Sequence, residues 1–244
     1  HCLVAANLAQ AGAQAIGAND LLAQVGAYYH DIGKLGKAGL YTENIQAQEN
    51  PHDDLSPNMS ALLITAHVKE GLSLGLLGKL PPAVTDIIQQ HHGTSLVAFF
   101  HHKARVQNEA EKKRDGRPGL PSAPPINEND FRYPGPKPQT REAAIVMFAD
   151  GLEAASRSLA KPTPAHIQDL VGDLIRGKIV DGQLDECGLT LAEIHRLREA
   201  FASHPALQKA PRLTLWTSFK SARMKLWDED LKQMVGFPRR QARG

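Results

Sequence analysis

Apolar residues recur at three- and four-residue spacing along most of the chain, and no stretch keeps the period-2 alternation of a half-buried strand. The pattern predicts an all-α fold. Residues 2–16, rich in Ala and Leu, predict a first helix ending near Gly17. Asp20 is placed to cap a second helix over 21–29 by accepting a backbone N–H, and Gly33 breaks the pattern that follows. Residues 34–57 read as a loop with room for a short helix. Ser56-Pro57 pairs an N-cap residue with Pro at the first helical position and predicts a helix to about 69. Pro81-Pro82 does the same for 83–91. Helical pattern returns at 141–158 and 163–178, and Thr190-Leu191-Ala192-Glu193 fits a capping box opening a helix to about 202.

Two segments depart from this rhythm. The stretch 103–141 holds seven of the chain's 16 prolines together with a charged run from Glu109 to Arg117. It reads as a long excursion from the packed core. Residues 212–244 carry eight Lys/Arg and three acidic residues, with Trp216, Phe219, Leu226, Trp227 and Leu231 interleaved. This amphipathic-like pattern fits a helix packed on its own domain or a partner better than contact with a membrane surface. The expected organisation is a catalytic body over 1–211, with an insertion at 103–140, and a basic tail over 212–244.

Composition narrows the classes. The chain has 244 residues and is 42% hydrophobic, enough to bury a real core. Its formal charge of +2 resolves into a tail of +5 on a mildly acidic body, so no broad field predicts a nucleic-acid polymer as partner. No apolar run of about 20 residues is present to span a bilayer. The sequence opens on His1 directly in helical pattern, the expectation for a domain cut from a longer chain. Two cysteines, Cys2 and Cys187, are too few for a disulfide framework, whereas eleven histidines are many. Any bound metal must therefore be held by imidazole and carboxylate.

The chemistry concentrates in Tyr29-His30-Asp31-Ile32-Gly33-Lys34. Neighbouring helical side chains point about 100° apart, so an adjacent His-Asp pair suits two metal directions or a carboxylate bridging two ions. Further histidines fall on separate helices: His1, His67 and the pair His91-His92. Asp150 ends the apolar run 143–149, where a carboxylate is costly to bury without a cation or hydrogen-bond donors.

The order His…His-Asp…His…His-His…Asp resembles the ligand set of the HD-domain metal-dependent phosphohydrolases in their two-metal form. The neighbours sharpen the resemblance. His30-Asp31-Ile32-Gly33-Lys34, Asn50-Pro51-His52-Asp53, His67-Val68-Lys69, His91-His92-Gly93-Thr94, the string Phe131 to Pro138 and the string Asp181 to Cys187 are similar to one subgroup. That subgroup is the cytosolic HD domain of seven-transmembrane-HD receptors, the PgpH-type cyclic di-AMP phosphodiesterases. The likeness runs from His1 to about Leu215.

The resemblance implies an HD-domain helical bundle and two divalent ions, Mn²⁺ or Fe. It implies that His1, His30, Asp31 and Asp150 hold one ion and that Asp31 bridges to a second held by His67 and His91. His92 has two readings, a ligand of the second ion or a contact to substrate phosphate. The implied substrate is cyclic di-AMP, opened to linear 5′-phosphoadenylyl-adenosine by a metal-activated water. Asp31 and Lys34 are then the catalytic residues, and Lys34, Lys69, Thr94, Tyr133 and Arg157 the candidate substrate contacts, with Tyr133 set to stack on a base. The resemblance further implies the cytoplasmic side of an inner or plasma membrane, to which the full-length protein is tethered, and allows a homodimer. Two alternatives stand beside it: an HD hydrolase of another nucleotide (cyclic di-GMP, an alarmone or a dNTP) and a non-catalytic nucleotide sensor. The cyclic di-GMP branch carries Gly-Tyr-Pro soon after its double histidine, where this chain has Gly93-Thr94-Ser95-Leu96.

Overall fold

The computed structural model describes residues 1–41, 44, 50–114, 125–157, 159 and 163–208. The basic tail expected at 212–244 lies outside the described residues. Among those residues the elements are helical: α1 Cys2–Ile16, α2 Asp20–Tyr29, α3 Pro57–Leu77, α4 Pro82–Gln90, α5 Ala98–Arg114, α6 Arg141–Ser156, α7 Pro164–Val180, α8 Leu191–Ser203 and the single turn α9 Pro205–Gln208. Stretches of 3-10 helix follow α2 (Ile32–Leu40) and precede α6 (Glu128–Phe131). One antiparallel bridge, Leu96 to Arg132, is the β pairing among the described residues.

Helix α6 explains the architecture. Residues 143–149 are buried all round, as a helix at the centre of a bundle must be. Around it pack α1, α2, α4 and α7. Helix α1 turns a small-residue face inward, with Ala5, Ala6, Ala9, Gly12 and Ala13 buried. A Cβ on Gly12 would stand 2.8 Å from the Phe201 ring of α8, so the missing side chain sets how closely those helices approach.

Most helix starts follow the sequence signals. The side chains of Ser56, Thr140 and Thr163 accept N–H groups of the first turns of α3, α6 and α7. Thr190 and Glu193 form the expected capping box on α8. Four expectations shift. Asn19, not Asp20, caps α2, because its carbonyl oxygen accepts the Leu22 N–H. The segment after His30-Asp31 winds into a 3-10 helix rather than a mainly irregular loop. Helix α3 runs eight residues beyond Lys69, to Leu77. The first part of the 103–140 insertion continues α5 to Arg114, and its last part docks on the body through fully buried Phe131.

Candidate metal centre

Five helices deliver the residues. His1 stands at the N-cap of α1, His30 and Asp31 follow α2, His67 lies in α3, His91 and His92 follow α4, and Asp150 lies in α6. The approach of the 3-10 segment to α3 depends on Gly33. A Cβ there would stand 1.9 Å from the His67 carbonyl oxygen, so backbone packs directly on backbone and Asp31 is drawn alongside His67.

All seven expected ligand positions converge. Potential ligand atoms of His1, His30 and Asp31 lie within 4.8 Å of one another, as do those of Asp31, His67, His91 and His92. Asp31 belongs to both groups. Its Oδ2 lies 3.4 Å from His1 Nε2 and 3.2 Å from His30 Nε2. Its Oδ1 lies 3.4 Å from His67 Nε2 and 3.8 Å from His91 Nε2. Asp150 Oδ1 closes the first group at 3.2 Å from His1 Nε2, and its Oδ2 reaches 3.7 Å from His92 Nδ1.

The arrangement fits divalent cations on two grounds. Asp31 is buried, and while the Lys34 ammonium pairs with its Oδ2 at 2.6 Å, its Oδ1 has no hydrogen-bond partner. The imidazoles, moreover, are aimed. His30, His67 and His91 each give Nδ1–H to the carbonyl three residues back, those of Ala27, Ile64 and Ile88, at 2.7, 2.5 and 2.8 Å. That bond fixes the tautomer and turns the Nε2 lone pair toward the centre. His1 Nε2 and His30 Nε2 consequently face each other at 3.2 Å, and His67 Nε2 and His91 Nε2 at 3.5 Å. Ring nitrogens brought this close are placed to share a cation between them. An all N/O donor set without thiolate suits Mn or Fe among others.

The electrostatics of the two groups differ. Burial works against a charged His1, yet hydrogen bonds with Asp150, Asp31 and Glu153 prevail and raise its pKa to about 12. For His30 burial is likewise outweighed, by the charge of Asp31 and a hydrogen bond with Asp150, and the pKa rises to about 10. In the second group burial wins: His91 falls to about 3, helped by the neighbouring His30, and His67 and His92 are also lowered. Burial alone would raise Asp31 and Asp150, but their imidazole neighbours hold both carboxyls well below the usual range.

The expected substrate contacts fare unequally. Lys34 lies at the centre, between Asp31 and the Tyr41 ring, whose centroid is 5.1 Å from Nζ. Tyr133 also lies there, its N–H donating to the Ser95 carbonyl, but one face of its ring stacks on His92 at 4.1 Å, leaving only the other for a base. Burial pushes its phenol up, so the hydroxyl stays a donor. Thr94 Oγ1 accepts from fully buried Gln183, which also accepts the Thr94 N–H. Lys69 is exposed: two residues past His67 is about 200° around the helix, on the far face. Arg157 Nη2 pairs with Glu153 Oε2 at 3.0 Å. The sequence reading missed Tyr41, Glu153, Gln183 and Lys178. Half-buried Lys178 donates to Ser95 Oγ at 2.6 Å, and desolvation lowers its pKa. For Glu153 the signal was spacing, since a residue three past Asp150 shares its helix face.

Comparison with known proteins accords with this geometry. The family model described as HD domain matches residues 1–155. The cyclic-di-AMP phosphodiesterase PgpH of Bacillus subtilis (strain 168) is 42% identical over 203 residues, covering 83% of this chain and 26% of that protein. PgpH of Listeria monocytogenes serotype 1/2a (strain 10403S) is 41% identical over 199 residues, covering 82% and 26%. The chain thus spans about a quarter of the length of the curated relatives it matches. Among solved structures, the L. monocytogenes PgpH HD domain in complex with cyclic-di-AMP superimposes with a TM-score of 0.75 at 40% identity, covering 83% of this chain and 88% of that one. With its family profile matched across more than half its length and its helices superimposing on a solved HD domain, the chain belongs to the HD domain family.

Proposed function

We propose that this chain is the catalytic domain of a cyclic di-AMP phosphodiesterase, tethered to a membrane in its full-length form and facing the cytoplasm. The observation that carries the reading is Asp31, a buried carboxylate set between two groups of inward-aimed imidazole nitrogens, with its Oδ1 left without a hydrogen-bond partner. Support for the substrate comes from the relatives named for cyclic-di-AMP hydrolysis and from the solved neighbour bound to it. No helix among the described residues is long and apolar enough to cross a membrane, so tethering would come from other parts of the protein.

In this reading His1, His30, Asp31 and Asp150 hold one ion, and Asp31, His67 and His91 hold the other, with His92 completing the second or touching phosphate. Mn²⁺ or Fe bound there would lower the pKa of an attacking water and neutralise charge on the phosphoryl oxygens. The chain's own groups do the rest. Lys34 presents its ammonium at the edge of the centre as a point charge for a non-bridging phosphoryl oxygen. The Tyr133 hydroxyl offers a hydrogen bond, and the His92–Tyr133 stack forms an aromatic wall beside the phosphate. Water adds to phosphorus, the bond to the 3′ oxygen breaks, and that oxygen leaves with a proton, giving the linear dinucleotide with a 5′-phosphate.

The test is turnover of cyclic di-AMP and cyclic di-GMP by Mn²⁺-loaded protein, followed by chromatography. Linear 5′-phosphoadenylyl-adenosine should be the first product. No hydrolysis of either compound by metal-replete protein would overturn the enzyme reading, and faster hydrolysis of the guanine compound would overturn the substrate.

A further inference from the structure

Of the histidines that turn Nε2 inward, His1 alone does not use a carbonyl of its own helix. Its Nδ1 donates instead to Glu153 Oε2 on α6, at 2.5 Å. Glu153 lies one turn beyond Asp150, so one face of α6 meets both ring nitrogens: Asp150 Oδ1 stands 3.2 Å from Nε2 while Glu153 takes Nδ1. The Glu153 side chain is only 7% exposed, and a carboxylate so placed needs compensation. Arg157, one turn further on, supplies it by pairing with the same Oε2 at 3.0 Å.

We propose that Glu153 is a positioning residue for His1, and that Arg157 serves Glu153 rather than substrate phosphate. This inference rests on the two-ion reading above. Glu153 keeps the His1 proton on Nδ1 and fixes the ring plane, so that Nε2 is presented to the first ion. Its anion also makes the imidazole a stronger donor. Arg157 offsets the Glu153 charge and holds its carboxylate in line.

The experiment uses the whole chain and Mn²⁺ alone, with affinities read by calorimetry and bound metal by elemental analysis. Glu153→Gln keeps the side-chain shape and removes the charge. It should weaken one of two ions by about tenfold to a hundredfold, the range for loss of such a partner, and leave the other within twofold. Arg157→Gln should weaken the same ion by less. With diamagnetic Zn²⁺ in place of Mn²⁺, Glu153→Gln should move a single downfield imidazole N–H resonance, that of His1, and leave those of His30, His67 and His91 in place. Two ions bound equally tightly by the unaltered chain and Glu153→Gln would overturn the inference alone, as would movement of all the imidazole resonances together. An unaltered chain that binds no ion would overturn the two-ion reading and this inference with it.

Discussion

On one side of Asp31 stand His1 and His30, hemmed by Asp150 and Glu153; on the other stand His67 and His91, facing Asp31, and His92, 3.7 Å from Asp150. Both groups are buried and made of the same ring. Their proton affinities nevertheless move in opposite directions, up for His1 and His30 and down for His67, His91 and His92. Burial favours neutral imidazole in both, so the difference comes from the charges around each: several carboxylate oxygens near the first pair overcome desolvation, whereas the second group has fewer and more distant ones and feels neighbouring positive charge, His30 on His91 and Lys34 on His67. The fold thus prepares two unlike half-sites. In the first half each imidazole faces carboxylate oxygens that favour its protonation, so an ion entering there would compete with protons for the same nitrogens. Neutral rings in the second half are ready to ligate as they stand.

Replacing Asp31 is the strongest test of that division, because its two oxygens face the imidazoles of both halves. Asp31→Asn should lose both ions and lower turnover by roughly 10²-fold or more, the kinetic equivalent of the ~3–5 kcal/mol forfeited when one partner of a buried charge pair is removed. Asp150→Asn should instead cost the first ion only, and His67→Ala the second only. Counting metal per chain in the three variants checks this. If Asp31→Asn keeps one ion at full affinity, the halves are independent and the bridging role is wrong.

A smaller effect tests how the halves are held together. Gly33→Ala places a Cβ 1.9 Å from the His67 carbonyl oxygen and 2.5 Å from the Gly71 nitrogen, both backbone atoms that cannot swing aside. The 3-10 segment must lift off α3, carrying Asp31 from His67. We expect about 1–3 kcal/mol of destabilisation, the usual cost of overpacking, and selective weakening of the second ion. Thermal melts with metal analysis measure both, and an unchanged melt with both ions retained would deny Gly33 that role.

Much of this centre is legible in the sequence because order and neighbours mark each of the seven proposed ligand positions, whereas direction is local and harder to read. Lys69 lies close to His67 along the chain yet on the far side of α3. Arg157 does share the Asp150 face, but Glu153 lies between them and takes its charge. Gly71 and Gly75 lie beyond the expected end of α3 near Lys69. In α3 they are packing surfaces, against Gly33 and Ile88 and against Thr85, so the helix continues through them. Charge density made 103–114 resemble a loop, but Phe100 and Ala104 anchor α5 through a narrow apolar stripe beside Phe131. Such a stripe is too thin to stand out among Lys, Arg and Glu.

Glu193 supplies the reference against which the site carboxylates can be judged, since it is lowered without any imidazole neighbour. Its Oε2 accepts the Thr190 N–H and hydroxyl, each at 2.8 Å, and Oε1 accepts from Arg141 at 2.9 Å. Those bonds, the Thr190 backbone bond foremost, bring its pKa from 4.5 to about 2. A folded-state pKa below the unfolded one makes the ionised carboxylate stabilising above about pH 4.5, and that contribution fades as pH falls toward 2. Glu193→Gln should therefore melt lower than the unaltered chain at neutral pH, and the gap should close as the pH is taken down through that window. Metal content should stay the same, because the capping box of α8 lies apart from the ligands. A gap that persists unchanged in acid would assign the effect to packing of the side chain rather than its charge. A change in metal content would tie α8 to the first half-site, through α1, more tightly than the division into halves allows.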